Sequence, residues 1–414
     1  MQRGKVTNRL LDFFLGIPVL NVLASFRRRK TYPEHPRRIG LLFNPALGDT
    51  LLASAASQEL RALFPSAELI LFATNTNMAA AKLLPAIDTI EMLPIAHPYA
   101  AIKTIRRCAL DLMLDFTSWQ RITALYTLLS GARFTVGFER TGQHRHRGYD
   151  RTIIHHSDCH ELENLRRLTH SLGAAIHFAP RLVIPGGPLP EIVLRGKEVI
   201  VFHAWASGAR SWLREWPDAR WAELALRLLA PGRTFLITGS PADEVRCKAL
   251  RDAILSQGAS AEVMIGLIGI AEIARVLTHA EMLVSVNTGI MHLGAILGVP
   301  TVSINGPTAV HRWGPVGPRV ANVCPPDGSG GFLDLGFEYH GHSENVMEKI
   351  SVDNVMQEVQ QLCGMAINSS VAGGIKTRPE TNDSRATTAD GRPLRGPRLQ
   401  PGNQWVKSSC RAKA

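Results

Sequence analysis

Beyond residue 38 the chain alternates between two hydrophobic patterns. Short, almost wholly apolar runs are separated by longer stretches in which apolar residues recur every three or four positions. Residues 39–43 form the first run and predict a buried strand. Residues 49–63 follow, with Leu51, Leu52, Ala55, Leu60 and Leu63 at helical spacing before Pro65, and residues 68–73 form the next run. Strands of this length alternating with helices predict crossover units and a parallel sheet. Weaker runs continue at 89–93, 110–116 and 135–137. A second series has strands at 199–204, 234–238, 262–265, 282–286 and 300–304, with helical stretches near 221–229, 243–255, 270–279 and 289–297. Between the series lies a stretch rich in Pro and Gly, residues 185–190. The pattern therefore predicts an α/β chain of two parallel-sheet domains of similar architecture, 38–185 and 190–362, the second closing on a helix at 352–362.

Composition agrees with two cores. The 414 residues are 45% hydrophobic, and a single core stops growing near roughly 250–300 residues. The formal charge of +11 raises nucleic-acid binding, but its distribution argues against a specific site. Residues 1–38 hold nine Lys/Arg and two acids, residues 365–414 hold nine and three, and the body between is close to neutral. The last fifty residues, rich in Gly, Pro, Ser, Thr and Arg, bury too little apolar surface to offset ordering entropy and read as a disordered basic tail. The six cysteines show no paired spacing, which favours a reducing compartment. At the other end, residues 10–26 are apolar but carry Asp12, Gly16, Pro18 and Asn21, and Arg27-Arg28-Arg29-Lys30 follow at once. This falls short of the roughly 18–20 apolar residues of a membrane span. Segment 1–37 reads either as an interfacial anchor on an anionic cytoplasmic leaflet or as a short helix packed on the first domain, its cations merely solvated.

Parallel sheets bind ligands in the loops at the carboxyl ends of their strands. No GxGxxG follows either first strand, which argues against a dinucleotide-dependent dehydrogenase. Three other loops carry candidate chemistry. In the first, Gly48 permits a close approach and Asp49 stands at a helix start, where it serves either as a cap or as an ionised base. In the second, 203–217, Ser207, Ser211, Arg210 and Arg214 suit phosphate oxygens; the plainer reading makes Trp212 and Trp216 core anchors and leaves the arginines on the surface. In the third, Asn287, Thr288 and Gly289 fall at a helix N-terminus with free amides, and His292 is either a diphosphate contact or a satisfied core residue.

Gly48-Asp49, Arg-x-Trp-Pro at 214–217, Asn-Thr-Gly-x-x-His at 287–292 and Asn-Gly-Pro-Thr at 305–308 occur here in order. With this set the chain resembles the ADP-heptose:lipopolysaccharide heptosyltransferases, glycosyltransferase family 9, over roughly residues 38–360. The resemblance implies a GT-B fold of two Rossmann-like, doubly wound parallel-sheet domains facing a cleft, with acceptor on the first domain and donor on the second, and inverting transfer without a metal or other cofactor. Asp49 matches the catalytic base. Arg214 matches a basic position, often Lys, that stabilises the diphosphate leaving group, and Thr288, Gly289 and His292 match the donor-phosphate loop. Asp243 or Glu244 falls where the family places an acid near the ribose, and the backbone near 267–268 would lie against the base. Many members carry Asp where this chain has Asn287, which removes a negative charge beside the diphosphate.

Residues 140–167 concentrate His and Arg, including His144, Arg145, His146, Arg147, His155, His156, His160, Arg166 and Arg167, with Cys159 nearby. Their irregular spacing argues against zinc. A cationic rim for a phosphorylated or carboxylated acceptor, with Gly48, Arg145 and Arg147 as contacts, or a merely solvated surface, fits better. The sequence thus points to a cytoplasmic enzyme at the inner face of a bacterial inner membrane, taking a nucleotide sugar and a lipid-linked glycan. The alternative is a binding or assembly protein that kept the fold and lost the chemistry.

Overall fold

A computed structural model describes residues 12–28, 30–43, 46–189, 191–195, 198–208, 210–265, 269–334 and 344–364. The tail 365–414 and residues 267–268, expected against the base, lie outside the described residues. Two six-stranded sheets organise the chain. The first holds β1 (Arg38–Leu42), β2 (Glu68–Ala73), β3 (Thr89–Met92), β4 (Leu112–Asp115), β5 (Phe134–Glu139) and β6 (Arg151–Ile154) in the order β3-β2-β1-β4-β5-β6. The second holds β7 (Glu198–His203), β8 (Arg233–Thr238), β9 (Ser260–Met264), β10 (Met282–Val286), β11 (Thr301–Ile304) and β12 (Val320–Val323) in the order β12-β11-β10-β7-β8-β9. All pairings are parallel. Read from its own first strand, each sheet has the same doubly wound order, and this is the α/β architecture that the alternating pattern predicts. Central strands are buried on both faces because helices cover both, so their sequences read as continuous apolar runs.

Each sheet has a core of its own, built on Leu41, Leu71, Leu114 and Val136 in the first and on Ile200, Phe202, Phe235 and Val284 in the second. A further cluster is shared. Leu51, Ala80, Leu83 and Leu182 pack with Val201, Leu236, Leu283 and Leu293, so the two sheets are joined through apolar contact. Two short outer strands, β6 and β12, escaped the sequence pattern. The stretch expected as one helix from 49 to 63 is two, Leu47–Leu52 and Ser54–Leu63, meeting at Ala53.

The N-terminal segment forms a helix, Gly16–Ser25, that packs on the first domain through buried Leu20 against Ala124 and Tyr149. Its cations are not merely solvated. Arg27 pairs with Asp150, and Lys30 donates to the Ala132 carbonyl. Cys108, Cys159 and Cys247 are free thiols, whereas Cys324 is joined in a disulfide, against the expectation of unpaired cysteines.

Candidate active site

In a doubly wound sheet the ligand crevice opens where strand order reverses, at the carboxyl ends. In the first sheet that point lies between β1 and β4, where Leu42 is level with Asp115. In the second it lies between β7 and β10, where His203 is level with Ser285. The loops carrying Gly48-Asp49 and Asn287-Thr288-Gly289 leave these points, and the helices they begin meet across the domains. A Cβ on Gly48 would fall 2.6 Å from His292 Cδ2 and 3.5 Å from Gly289 Cα. A Cβ on Gly289 would fall 2.3 Å from Leu47 Cδ2 and 3.2 Å from the Gly48 nitrogen. Neither site has room for a side chain, so the close approach permitted by Gly48 is an approach to the opposite helix.

Asp49 occupies the first turn of its helix and is half-buried, and its Oδ2 accepts from the Ala46 amide at 3.2 Å. Thr50 beside it is buried and accepts from the Asn77 amide at 3.1 Å, which ties this turn to the start of the helix Met78–Ala81. A helix N-terminus favours the charged form of a carboxylate beside it. His292 is buried. Burial, with His160 nearby, holds its pKa down at about 3, so the imidazole is neutral, and its Nδ1 has no partner among the described residues. It therefore contributes shape and a polar atom rather than positive charge.

The second sheet's candidate loops leave β7 and β10. Gly208 sits at φ +98°, and this turn brings the Ser207 carbonyl onto Arg214 Nη2. Arg214 Nε is buried without a partner among the described residues, while Ser207 is exposed. Trp216 is the core anchor, its indole donating to the Ile350 carbonyl at 2.8 Å, but Trp212 is exposed. Thr288 stands at the N-cap position of the helix Gly289–Ile296 without a side-chain capping bond, and its Oγ1 lies 3.4 Å from Ser285 Oγ.

Asn287 is tied down by its amide nitrogen, which donates to Asn305 Oδ1 at 2.8 Å and to the Trp313 carbonyl at 2.9 Å. The carbonyl can only accept, so the orientation of this amide is fixed. An aspartate here would oppose two acceptors. We expect Asn287→Asp to cost about 1–3 kcal/mol. Chemical denaturation checks this, and an unchanged midpoint would remove the amide's structural role.

At the end of β8, Asp243 and Glu244 divide. Asp243 Oδ2 accepts from the Ser240 amide at 2.9 Å and from its hydroxyl at 2.5 Å. It is half-buried and close enough to His203 to be felt by that ring. Glu244 is exposed and pairs with Lys248 at 2.7 Å. His203 is neutral too, burial holding it down to about 4. A histidine whose folded pKa lies below its unfolded value binds fewer protons in the folded state, so stability rises with pH and is lost as pH falls below the unfolded value. Each of His203 and His292 should therefore withdraw about 2 kcal/mol between pH 7 and pH 5. Urea midpoints measured across that range check it, and a flat profile would refute buried neutral rings.

On the acceptor side Arg145 must be reassigned. It is fully buried, donating to Asp115 Oδ2 at 2.9 Å and to the Tyr149 hydroxyl at 2.6 Å, so it forms the floor under β4 and is no rim contact. Arg147 is exposed, on the turn Arg145–Gly148 that packs against the N-terminal helix. What the sequence reading missed is a cavity of about 320 Å³ lined by Glu139, Arg140, Thr141, Ile154, His155 and Ser157 at the ends of β5 and β6. Its donors lie next to a cross-domain clasp. Arg312 reaches Glu161 Oε2 at 3.1 Å and Asp334 Oδ1 at 2.8 Å; Arg140 also pairs with Asp334, and His160 Nε2 donates to the Gly314 carbonyl at 3.0 Å. The basic stretch 140–167 assembles no group of metal-donor side chains among the described residues. Glu59, His170 and His177 do converge, but the Glu59 carboxylate is already engaged by Arg166 and Thr169.

Known proteins place this geometry. A family model described as glycosyltransferase family 9 (heptosyltransferase) matches residues 99–329, which include the 203–217 and 287–292 loops but not Gly48-Asp49. Lipopolysaccharide heptosyltransferase 1 of Salmonella typhimurium is 34% identical over 115 residues, 28% of this chain and 35% of that protein. Its Escherichia coli counterpart is 35% identical over 96 residues, 23% of this chain and 28% of that protein. The chain thus matches only about a third of the length of these curated relatives. Solved structures extend the likeness in fold. The family 9 glycosyl transferase of Veillonella parvula matches with TM-score 0.65 at 16% identity, over 81% of this chain and 99% of that one. The E. coli ADP-heptose lps heptosyltransferase II matches with TM-score 0.64 at 18% identity, over 79% and 98%. The E. coli heptosyltransferase WaaC with ADP matches with TM-score 0.61 at 21% identity, over 78% and 99%. With more than half of its length matched by the family model, the chain belongs to glycosyltransferase family 9, the heptosyltransferase family.

Proposed function

We propose that this chain transfers a sugar, heptose in the first instance, from an ADP-linked donor to a lipopolysaccharide-type or other anionic glycan, with inversion and without a bound metal. The observation that carries the reading is the meeting of two helix N-termini across the switch points, with Asp49 on one and Thr288-Gly289 on the other. Asp49 takes the proton of the acceptor hydroxyl as that oxygen attacks the anomeric carbon. The bond from that carbon to the diphosphate breaks, and the nucleoside diphosphate leaves with the electron pair. The amides at Gly289 and the guanidinium of Arg214 receive its charge, the task a metal performs elsewhere. Asp243, half-buried near His203 just past the second strand of its sheet, is the better placed of the two acids for a ribose, and the cavity beside β5 and β6 offers the acceptor glycan a polar seat. We place the enzyme on the cytoplasmic face of the inner membrane, where a lipid-carried acceptor is presented.

The test is a thermal-shift screen of nucleoside diphosphates and nucleotide sugars, followed by turnover with and without EDTA. An ADP-linked sugar should stabilise the fold by mass action, by about 2.7 kcal/mol at a hundred times its Kd. Turnover should persist in chelator. Stabilisation by no nucleotide at millimolar concentration would sink the transferase reading, and complete loss of turnover in EDTA would sink its metal-free form.

A further inference from the structure

The helix Gly16–Ser25 is apolar on two faces, and the first domain covers one of them. Leu20 is buried against Ala124, Tyr149 and Leu128. The segment is clamped at both ends. The Asp12 carboxylate accepts from the Arg121 and Ile122 amides at 2.9 and 3.3 Å and pairs with the Arg121 guanidinium at 2.9 Å. Arg27 pairs with Asp150 and donates to Thr135 Oγ1 at 3.1 Å. Leu15, Val19, Val22 and Phe26 recur at i, i+4, i+7 and i+11, which is one stripe of a helical surface. They are 60%, 42%, 58% and 80% exposed; Phe14, next to Leu15, is exposed as well, while Phe13 lies against the Arg121 guanidinium of the first domain. Soluble monomers seldom leave a contiguous apolar patch of this kind unused.

Cations flank the stripe. Arg28 follows it directly and is exposed, and so is Arg147, whose turn packs on the same helix and whose carbonyl accepts from Arg27 Nη1 at 3.4 Å. No described helix is long and apolar enough to cross a membrane. An apolar stripe bordered by arginines is complementary to an anionic lipid surface, with apolar side chains among the acyl chains and guanidinium groups at the headgroups.

We propose that residues 12–28 are an in-plane membrane-docking element that seats the acceptor domain on an anionic bilayer. Asp12 caps the helix Arg121–Leu128, which begins just past the carboxyl end of β4, at the crevice of the first sheet. The docked face is therefore tied through Asp12 to the crevice edge of the first sheet. The purpose of this arrangement rests on the proposed transfer to a lipid-carried glycan; the docking itself does not.

The experiment is co-sedimentation of the full chain with phosphatidylcholine vesicles, with and without phosphatidylglycerol, for wild type and for Val22→Glu/Phe26→Glu. Both substituted positions are exposed, and an unchanged melting temperature and unchanged ADP-induced stabilisation show that fold and donor site are intact. Wild type should partition onto the anionic vesicles, the double variant at least about tenfold less, and raised salt should weaken the binding. Equal partition of the two proteins, or none onto anionic vesicles, overturns the proposal. So does light scattering that shows a wild-type dimer dissociated by the double variant without vesicle binding, because the stripe is then a contact between copies. Since binding is read without turnover, a failed transfer assay leaves this result independent.

Discussion

Asp49→Asn should lower the turnover number by roughly 10²–10⁴-fold while leaving donor affinity and stability nearly unchanged. The substitution separates two roles that one carboxylate can fill. As a cap, Asp49 accepts from the Ala46 amide at 3.2 Å through Oδ2. Asparagine is isosteric and its carbonyl oxygen can accept from the same amide, so loss of the charge costs the helix no more than about 0.3–1 kcal/mol. As a base, asparagine cannot take the hydroxyl proton at all. The proposed donor site lies on the other domain, at Arg214 and Thr288-Gly289, so ADP-induced stabilisation should persist. A drop confined to turnover identifies the base. Retention of turnover within tenfold of wild type would show Asp49 to be a cap alone, and the proton acceptor would have to be sought elsewhere along the cleft.

What could be read from the chain, and what could not, follows from the range over which each feature is determined. The alternation of buried strands and amphipathic helices is local, and it appears as continuous apolar runs at β1, β2, β7 and β10. The strands β6 and β12 were missed because four-residue outer strands with one open face carry little apolar signal; Arg151–Ile154 lies wholly outside the fully buried class. Gly48 signalled a close approach, but nothing near it in sequence names the partner, which comes from Gly289 and His292, some 240 residues later. Arg145 misled for the same reason. Among histidines and arginines it reads as surface charge, yet its partner Asp115 is thirty residues upstream, at the end of β4, and Tyr149 closes the pair. Asn287 was read as a departure that alters charge at the donor. Its amide turns out to be held by two acceptors contributed by later loops.

The longest-range feature is also the one whose removal should cost most in stability. Arg312 is buried in the second domain, and its Nη1 donates to the His156 carbonyl at 2.9 Å and the Cys159 carbonyl at 3.2 Å of the first, with Glu161 Oε2 a charge contact at 3.1 Å. Its Nε faces Asp334 Oδ1 at 2.8 Å as a charge contact rather than an aligned hydrogen bond. Arg312→Met keeps much of the volume and removes every donor. Glu161 then keeps only His155 and Asn164 in a buried site, and Asp334 keeps Arg140. Breaking one side of such a pair typically costs about 3–5 kcal/mol, because the remaining charge is left buried and uncompensated. A double variant that also carries Glu161→Gln should lose less than the two single losses together, since the stranded carboxylate is gone. The cost falls on the joint between domains, so Asp49 and the donor loop should lose their fixed apposition and transfer should fall even where each domain remains folded. A loss below about 1 kcal/mol with full activity would mean that the apolar seam of Leu51, Leu83, Leu283 and Leu293 holds the domains together without the clasp.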